Sequence, residues 1–423
     1  MIAQLHTRFL ESSGISTDSR SITEGSIFFA LKGDQFDGNR FVGETIEKGA
    51  LLAVISDPMQ EIPGKTVLVE DTLKTLQDLA RYHREQLSIP VIGLTGSNGK
   101  TTTKELLSQV LKEKFHVLFT QGNLNNHIGV PLTLLSITPK HEIAVIEMGA
   151  NHQGEIAELC GICQPDMGLI TNFGKAHLEG FGGIEGVKKG KSELYDHLRK
   201  RKGRVFVNSD DPDMLDRTQN MDRTTYGTQG TPDLRYSVIE GERAGIEWEG
   251  HQAISKLTGT YNCTNMAAAV AIGRYFEIPS EKIVHALESY APSNARSEVR
   301  ETGKNVLILD AYNANPSSVE VSLKNLERIS HPRKVAILGD MFELGSHSAE
   351  EHQHMVDLLR TMDLMDVVLI GQAYTSTEHP ASFRVFASTD MALEELQKHP
   401  IKNCLILLKG SRGMKLERLL DTL

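Results

Sequence analysis

Cysteine is scarce in this chain, with four residues in 423. So few in so long a chain make no disulfide framework. Positive charge is also short: 45 Lys and Arg stand against 55 Asp and Glu, a formal net charge of -10. No long basic run occurs, so the electrostatic footprint of a nucleic-acid binder is missing. Local glycine loops and lysines can still outweigh that mean field, so an anionic ligand is not excluded. No run of about 18 apolar residues could span a bilayer. The opening stretch MIAQLHTRFLESSGIS lacks the apolar core of a signal peptide, and a cytoplasmic protein is expected. Internal repeats and low-complexity tracts are absent too.

The length suggests about three domains, each able to bury its own core. Residues 1–84 mix short apolar runs (Ser26–Leu31, Ala50–Ile55, Thr66–Val69) with glycine turns and read as a small α/β domain. Over 85–291 the pattern alternates apolar strands with amphipathic helices. Strands are expected at Val91–Thr95, His116–Phe119, Ile143–Glu147, Met167–Thr171 and Arg204–Asn208. Helices are expected at Lys100–Lys112, Ile128–Leu135, Gly154–Ile162, Glu185–Leu198 and Asn262–Phe276. Such alternation predicts a mostly parallel sheet covered on both faces. Residues 222–258 read as a short-stranded excursion. A third α/β block, 292–423, carries strands at Val306–Asp310, Lys334–Leu338, Val367–Ile370 and Cys404–Leu408.

The strongest local signal is Val91-Ile-Gly-Leu-Thr-Gly-Ser-Asn-Gly-Lys-Thr-Thr-Thr103, a strand running through a glycine turn into a helix. Gly96, Ser97, Asn98 and Gly99 would wrap phosphate oxygens with backbone N–H groups. Lys100 would reach the terminal phosphates, and Thr101, beside Thr102, would offer a hydroxyl to Mg²⁺. The general phosphate-loop pattern wants glycine where Leu94 stands, so only the shorter form from Gly96 is present. Ile143–Glu147 ends on a carboxylate suited to holding Mg²⁺. His177 follows another strand end, where a metal or phosphate role is expected. Lys188, Lys189 and Lys191 form a run that spacing alone does not resolve. Cys160 and Cys163 lack a second pair and are expected to be packing residues. His347, His352 and His354 read as a surface helix.

Gly96–Glu105, Gly122–Leu132, Glu147–Ile156, Ala176–Gly182, Asp310–Pro316 and Leu338–Gly345 resemble the Mur ligases along nearly the whole chain, in order. The resemblance implies three domains: a UDP-substrate domain, a central phosphate-loop ATPase and a Rossmann-like C-terminal domain. It implies ATP and Mg²⁺ as cofactors. It marks Lys100 and Thr101 as phosphate and metal contacts, Glu147 and His177 as metal ligands, and Lys191 as the lysine that the family carbamylates. Asn265 corresponds to the family's adenine contact. Arg296 and Asp310 match its C-terminal nucleotide contacts, with Asn313 and Asn315 lining the closed cleft. Ser19, Arg20, Lys32, Gly33, Asp37 and Gly38 resemble the UDP-binding segments.

Gly-Asn-Leu-Asn-Asn (122–126) and Tyr-Asn-Ala-Asn-Pro (312–316) resemble the branch that joins D-Ala-D-Ala to UDP-MurNAc-tripeptide through an acyl phosphate. The third tripeptide residue, diaminopimelate or lysine, stays open. Two alternatives are the preceding ligase, which adds the diamino acid, and a non-catalytic UDP-muropeptide-binding protein. The oligomeric state stays open, a monomer being plausible, and a hinge is expected near Ala291–Asn294, at the Pro292 break.

Overall fold

Four sheets of three or more strands organise the chain, and the two largest are built for ligand binding. The computed structural model describes residues 1–292 and 298–423. The N-terminal block carries a parallel sheet in the order Ile15–Ser16, Ile27–Phe29, Leu52–Ile55, Thr66–Leu68. The helix Thr72–Glu85 leaves this block and packs onto the central one. Its Arg84 donates to the carbonyls of Cys163 and Gln164 and pairs with Asp166 at 2.8 Å. Asp166 in turn accepts from Val91 N. The first strand of the central sheet is thereby fixed to the helix before it.

The central sheet is seven-stranded and wholly parallel. Its order is Leu234–Arg235, Arg223–Gly227, Arg204–Asn208, Met167–Ile170, Val91–Thr95, Ile143–Glu147, Val117–Phe119. Its middle strands Val91–Thr95, Ile143–Glu147 and Met167–Ile170 are buried on both faces, which explains their largely apolar sequences. The chain steps from Val91–Thr95 outward to Val117–Phe119 and Ile143–Glu147, then crosses to Met167–Ile170. That reversal leaves a crevice at the carboxyl ends of the middle strands.

The excursion expected over 222–258 is therefore only partly separate. Arg223–Gly227 and Leu234–Arg235 extend the central sheet, whereas Ser237–Ile239, Arg243–Trp248 and His251–Thr258 form an antiparallel sheet of their own.

The C-terminal sheet runs Glu298–Glu301, Val306–Leu309, Leu405–Lys409, Lys334–Gly339, Asp366–Ile370, Arg384–Phe386. Only the first strand is antiparallel. His352 corrects the surface-helix reading of the three histidines: it is fully buried. Its Nδ1–H donates to Ser348 O, its Nε2 accepts from Met341 N, and its ring meets Tyr374 edge-on. Cys160 and Cys163 are buried free thiols against Met148, as packing residues should be, and burial raises both thiol pKa values.

Candidate active site

The glycine turn closes the crevice from one side. Gly99 is left-handed (φ 77°), and a Cβ there would lie 2.8 Å from Asn265 Oδ1. At Gly96 (φ 145°) a Cβ would meet Thr171 Oγ1 at 1.9 Å. Glycine is required at both places by space as well as by backbone angle. Part of the expected amide cradle is committed internally. Ser97 N donates to Asn172 O, and Asn98 N to Asn172 Oδ1. The first turn of the helix Lys100–Lys112 supplies the remaining N–H groups, which have no intrahelical acceptor. Lys100 Nζ lies over the loop, donating to Gly96 O and Ser97 O.

Glu147 stands at the next strand end and is 1% exposed. Its Oε1 accepts from Asn125 Nδ2 at 2.9 Å and Thr101 Oγ1 at 3.2 Å. Its Oε2 accepts no hydrogen bond and faces the buried Lys104 Nζ at 3.5 Å. His177 is left-handed (φ 54°) at the start of the helix Leu178–Phe181, and its Nδ1 bonds Glu343 of the C-terminal domain. That bond holds the Glu343 carboxyl below its usual range.

Lys191 is the buried member of its lysine run, 1% exposed, whereas Lys188 pairs with Glu185 and Asp213 near the surface. Lys191 Nζ donates to Ala150 O at 3.0 Å and lies over the Phe181 ring. Burial first, and the Lys100 charge second, push its ammonium pKa well below the ordinary lysine value.

One cleft of about 800 Å³ gathers Ser97, Asn98, Gly99, Lys100, Thr101, Thr102, Glu147, His177, Asn265, Asp310, Asn313 and Asn315. Gly96 lies beneath the loop, and Lys191 reaches the wall through Ala150. From the C-terminal side, Asn315 caps the helix Pro316–Arg328 and donates from Nδ2 to Asn98 Oδ1 at 2.8 Å. Asp310 is held by Lys409 Nζ at 2.6 Å and Ser322 Oγ at 2.8 Å. Arg296 lies outside the described residues.

The six UDP-segment residues do not line this cleft and form a separate N-terminal face. Ser19 is buried there, and Lys48 Nζ reaches its carbonyl. Arg20 forks onto Asp18 and pulls its carboxyl down to about 2. Lys32 and Gly33 pair with Asp37 and Phe36 in a short hairpin. A Cβ on Gly38 would strike Leu31 O at 2.7 Å.

Among the described residues no three His, Cys, Asp or Glu side chains converge as a metal centre. Thr101 and Glu147, side by side, fit Mg²⁺ as a partial oxygen set, because that ion takes few protein ligands and completes its shell from phosphates and water, and His177 lines the same cleft. Glu147 Oε2, which accepts no hydrogen bond, and the two glycine cradles fit a metal–triphosphate in the same way.

Three family models cover the chain: "Mur ligase family, catalytic domain" over 11–84, "Mur ligase middle domain" over 94–273, and "Mur ligase, glutamate ligase domain" over 295–412. The UDP-N-acetylmuramoyl-tripeptide–D-alanyl-D-alanine ligase of Bacillus subtilis is 35% identical over 97% of this chain and 93% of its own length.

The chain belongs to the Mur ligase family.

Its Escherichia coli counterpart of the same name is 32% identical over 97% of this Mur ligase and 93% of its own length. The crystal structure of MurF from Acinetobacter baumannii superposes with a TM-score of 0.89, at 32% identity, over 100% of this chain and 98% of that one. Thermotoga maritima MurF ligase, solved in complex with ADP, gives 0.86 at 29% identity, over 98% and 97%. The family explains the three α/β domains. The side chains missed by sequence reasoning are Lys104, Asn125, Glu343 and Lys409. Lys104 had a signal, since it lies one helical turn after Lys100 and so on the same helix face. Glu343 lay within the family-like segment Leu338–Gly345, but only the tertiary fold brings it to His177.

Proposed function

We propose that this Mur ligase joins D-Ala-D-Ala to UDP-MurNAc-tripeptide at the expense of ATP, in the cytoplasm. The observation that carries the reading is the single cleft that joins a phosphate loop, Glu147 and the Lys191 wall to the C-terminal loops at Asp310–Asn315. The relatives of that name, alike over nearly their whole length, support the choice of acceptor.

In this reading residues 1–84 hold the UDP-muropeptide through Ser19, Arg20, Lys32, Gly33, Asp37 and Gly38. Residues 85–291 bind ATP, with Gly96–Thr102 on the phosphates and Asn265 near the base. Residues 292–423 close over it with Arg296, Asp310, Asn313 and Asn315.

A carboxylate oxygen of the tripeptide attacks the γ-phosphorus, and the bond to ADP breaks. The amine of the dipeptide then attacks the acyl carbon, phosphate leaves, and the ammonium proton goes to solvent or a base. Lys100 and the helix amides offset the repulsion between the two anionic reactants and follow the charge as it develops. Mg²⁺, when bound by Thr101, Glu147 and His177, supplies further charge neutralisation. Lys191, whose burial pushes its ammonium pKa well below the ordinary lysine value, is suited to take up CO₂ as a carbamate and present a carboxylate to the metal. Closure of the domains keeps water from the acyl phosphate.

Phosphate release tests the assignment. With ATP, Mg²⁺ and UDP-MurNAc-tripeptide, release should require D-Ala-D-Ala and ignore single amino acids. Release that instead needs UDP-MurNAc-dipeptide and a diamino acid would reassign the chain to the preceding step. Binding of the UDP substrate without any release would make it a binding protein.

A further inference from the structure

We infer that Arg412, flanked by Tyr312 and Phe342, receives the carboxylate of the incoming dipeptide and thereby measures its length. The inference rests on the ligase reading above and adds to it the side chains that select the acceptor.

Three neighbouring parallel strands of the C-terminal sheet, Val306–Leu309, Leu405–Lys409 and Lys334–Gly339, end on the same side. The loops that follow them carry Tyr312, Arg412 and Phe342 respectively. In open α/β sheets this is the edge where ligands are received. The exposed Arg412 guanidinium lies over the Tyr312 ring at 5.4 Å, and Tyr312 lines the cleft. Phe342 N donates to Ser411 Oγ at 2.9 Å. The Phe342 ring packs so close to Gly413 that a Cβ there would come within 2.6 Å of it. The ring is nonetheless 46% exposed and so open to an apolar group of a ligand. The next residue, Glu343, bonds His177. The cluster therefore sits where the C-terminal domain meets the loop that carries the expected metal ligand.

Three other cations at this edge of the cleft are engaged. Lys409 is held by Asp310, Lys175 by Glu351, and Lys100 by its own loop. Among the described residues no carboxylate pairs with Arg412.

A D-Ala-D-Ala zwitterion has one amine, two methyl groups and one carboxylate. Its amine must reach the acyl carbon inside the cleft. An extended dipeptide then sets its carboxylate about 7 Å further out. That anion approaches a site already crowded with phosphate charge, so it needs a cation of its own. Arginine matches a carboxylate with two parallel hydrogen bonds, and the exposed rings suit the methyl groups. A single D-Ala engaged at its amine falls about one residue, roughly 3.5 Å, short of the same cation.

The experiment compares D-Ala-D-Ala with D-alanyl-D-alaninamide, which lacks only the carboxylate, in the unmodified enzyme and in Arg412→Met and Arg412→Lys. Loss of a charge-assisted pair predicts a KM for D-Ala-D-Ala raised about 10-fold or more in Arg412→Met. KM for ATP and for the UDP substrate should hold. The unmodified enzyme should prefer the acid over the amide, Arg412→Met should lose that preference, and Arg412→Lys should fall between. Arg412 is exposed, so circular dichroism should show both variants folded. An intact acid-over-amide preference in Arg412→Met would overturn the inference. So would a parallel rise in all three KM values, which would make Arg412 part of domain closure instead. Failure of the unmodified enzyme to use D-Ala-D-Ala at all would remove the ligase reading itself, a different result from either.

Discussion

Lys191 sits under the Phe181 ring with a depressed pKa, caused first by burial and then by Lys100. A neutral amine is what carbamate formation needs. Lys191→Ala is expected to lose about 100-fold or more in turnover, as when one strong electrostatic stabiliser is removed. Short carboxylic acids should restore part of it by filling the gap. Full turnover by folded Lys191→Ala would remove this role. A second residue-scale prediction concerns His6 and His83, buried between the helices Ile2–Glu11 and Thr72–Glu85. His83 Nε2 can only donate to Ile137 O, so its Nδ1 accepts from His6 Nε2–H at 3.0 Å. Burial lowers both pKa values, which favours the neutral rings. The unfolded chain takes up protons first as pH falls below about 6.5. The pair's contribution should be whole above that pH and fade below it. Melting temperatures measured from pH 8 to pH 5 should fall on the acid side, and fall less in a His6→Leu/His83→Leu variant. An equal fall in the variant would contradict the assignment. At this scale the sequence was legible where a motif fixed the geometry, as at Lys100 and Glu147. It was not where burial or a distant partner decides: spacing could not single out Lys191, and His352 was misread as exposed.

The phosphate-loop helix Lys100–Lys112 and the strands Val91–Thr95 and Ile143–Glu147 coincide with their sequence expectations. The strands Glu298–Glu301 and Arg384–Phe386 were missed, since both lie at sheet edges and carry few apolar residues. Arg223–Gly227 joined the central sheet through a pairing that no local pattern encodes. The element on which the site depends most is the turn at Gly99. Gly99→Ala forces a side chain into a left-handed position and against Asn265. We expect a loss of roughly 1–3 kcal/mol in stability. Nucleotide affinity should drop about 10-fold as the helix start shifts. Calorimetric titration with ADP and a thermal melt would measure the two effects separately. Unchanged ADP affinity would mean that the turn does not hold phosphate.

Polar contacts between the C-terminal and central domains add to the His177–Glu343 bond. Asn315 bonds Asn98 at 2.8 Å, Lys175 N donates to Ser317 Oγ at 2.8 Å, and Lys175 Nζ pairs with Glu351 at 2.6 Å. Ion pairs with one exposed partner contribute little, so the polar part of this interface can be broken and remade as the domains move. The free enzyme should sample open arrangements and compact when both ligands bind. Small-angle scattering with a non-hydrolysable ATP analogue and UDP-MurNAc-tripeptide should show a smaller radius of gyration. An unchanged radius, with binding confirmed in the same sample, would discard the motion. The three-domain plan was legible from the order of motifs along the chain. The expected hinge at Ala291–Asn294 is described only at Ala291 and Pro292, so the motion must be measured directly. The central claim is that ATP activates the tripeptide carboxylate by phosphorylation. Oxygen-18 placed in that terminal carboxylate tests it most directly, with mass spectrometry of the phosphate released during ligation. One labelled oxygen per phosphate is the expected result. Unlabelled phosphate accompanying amide formation would contradict it.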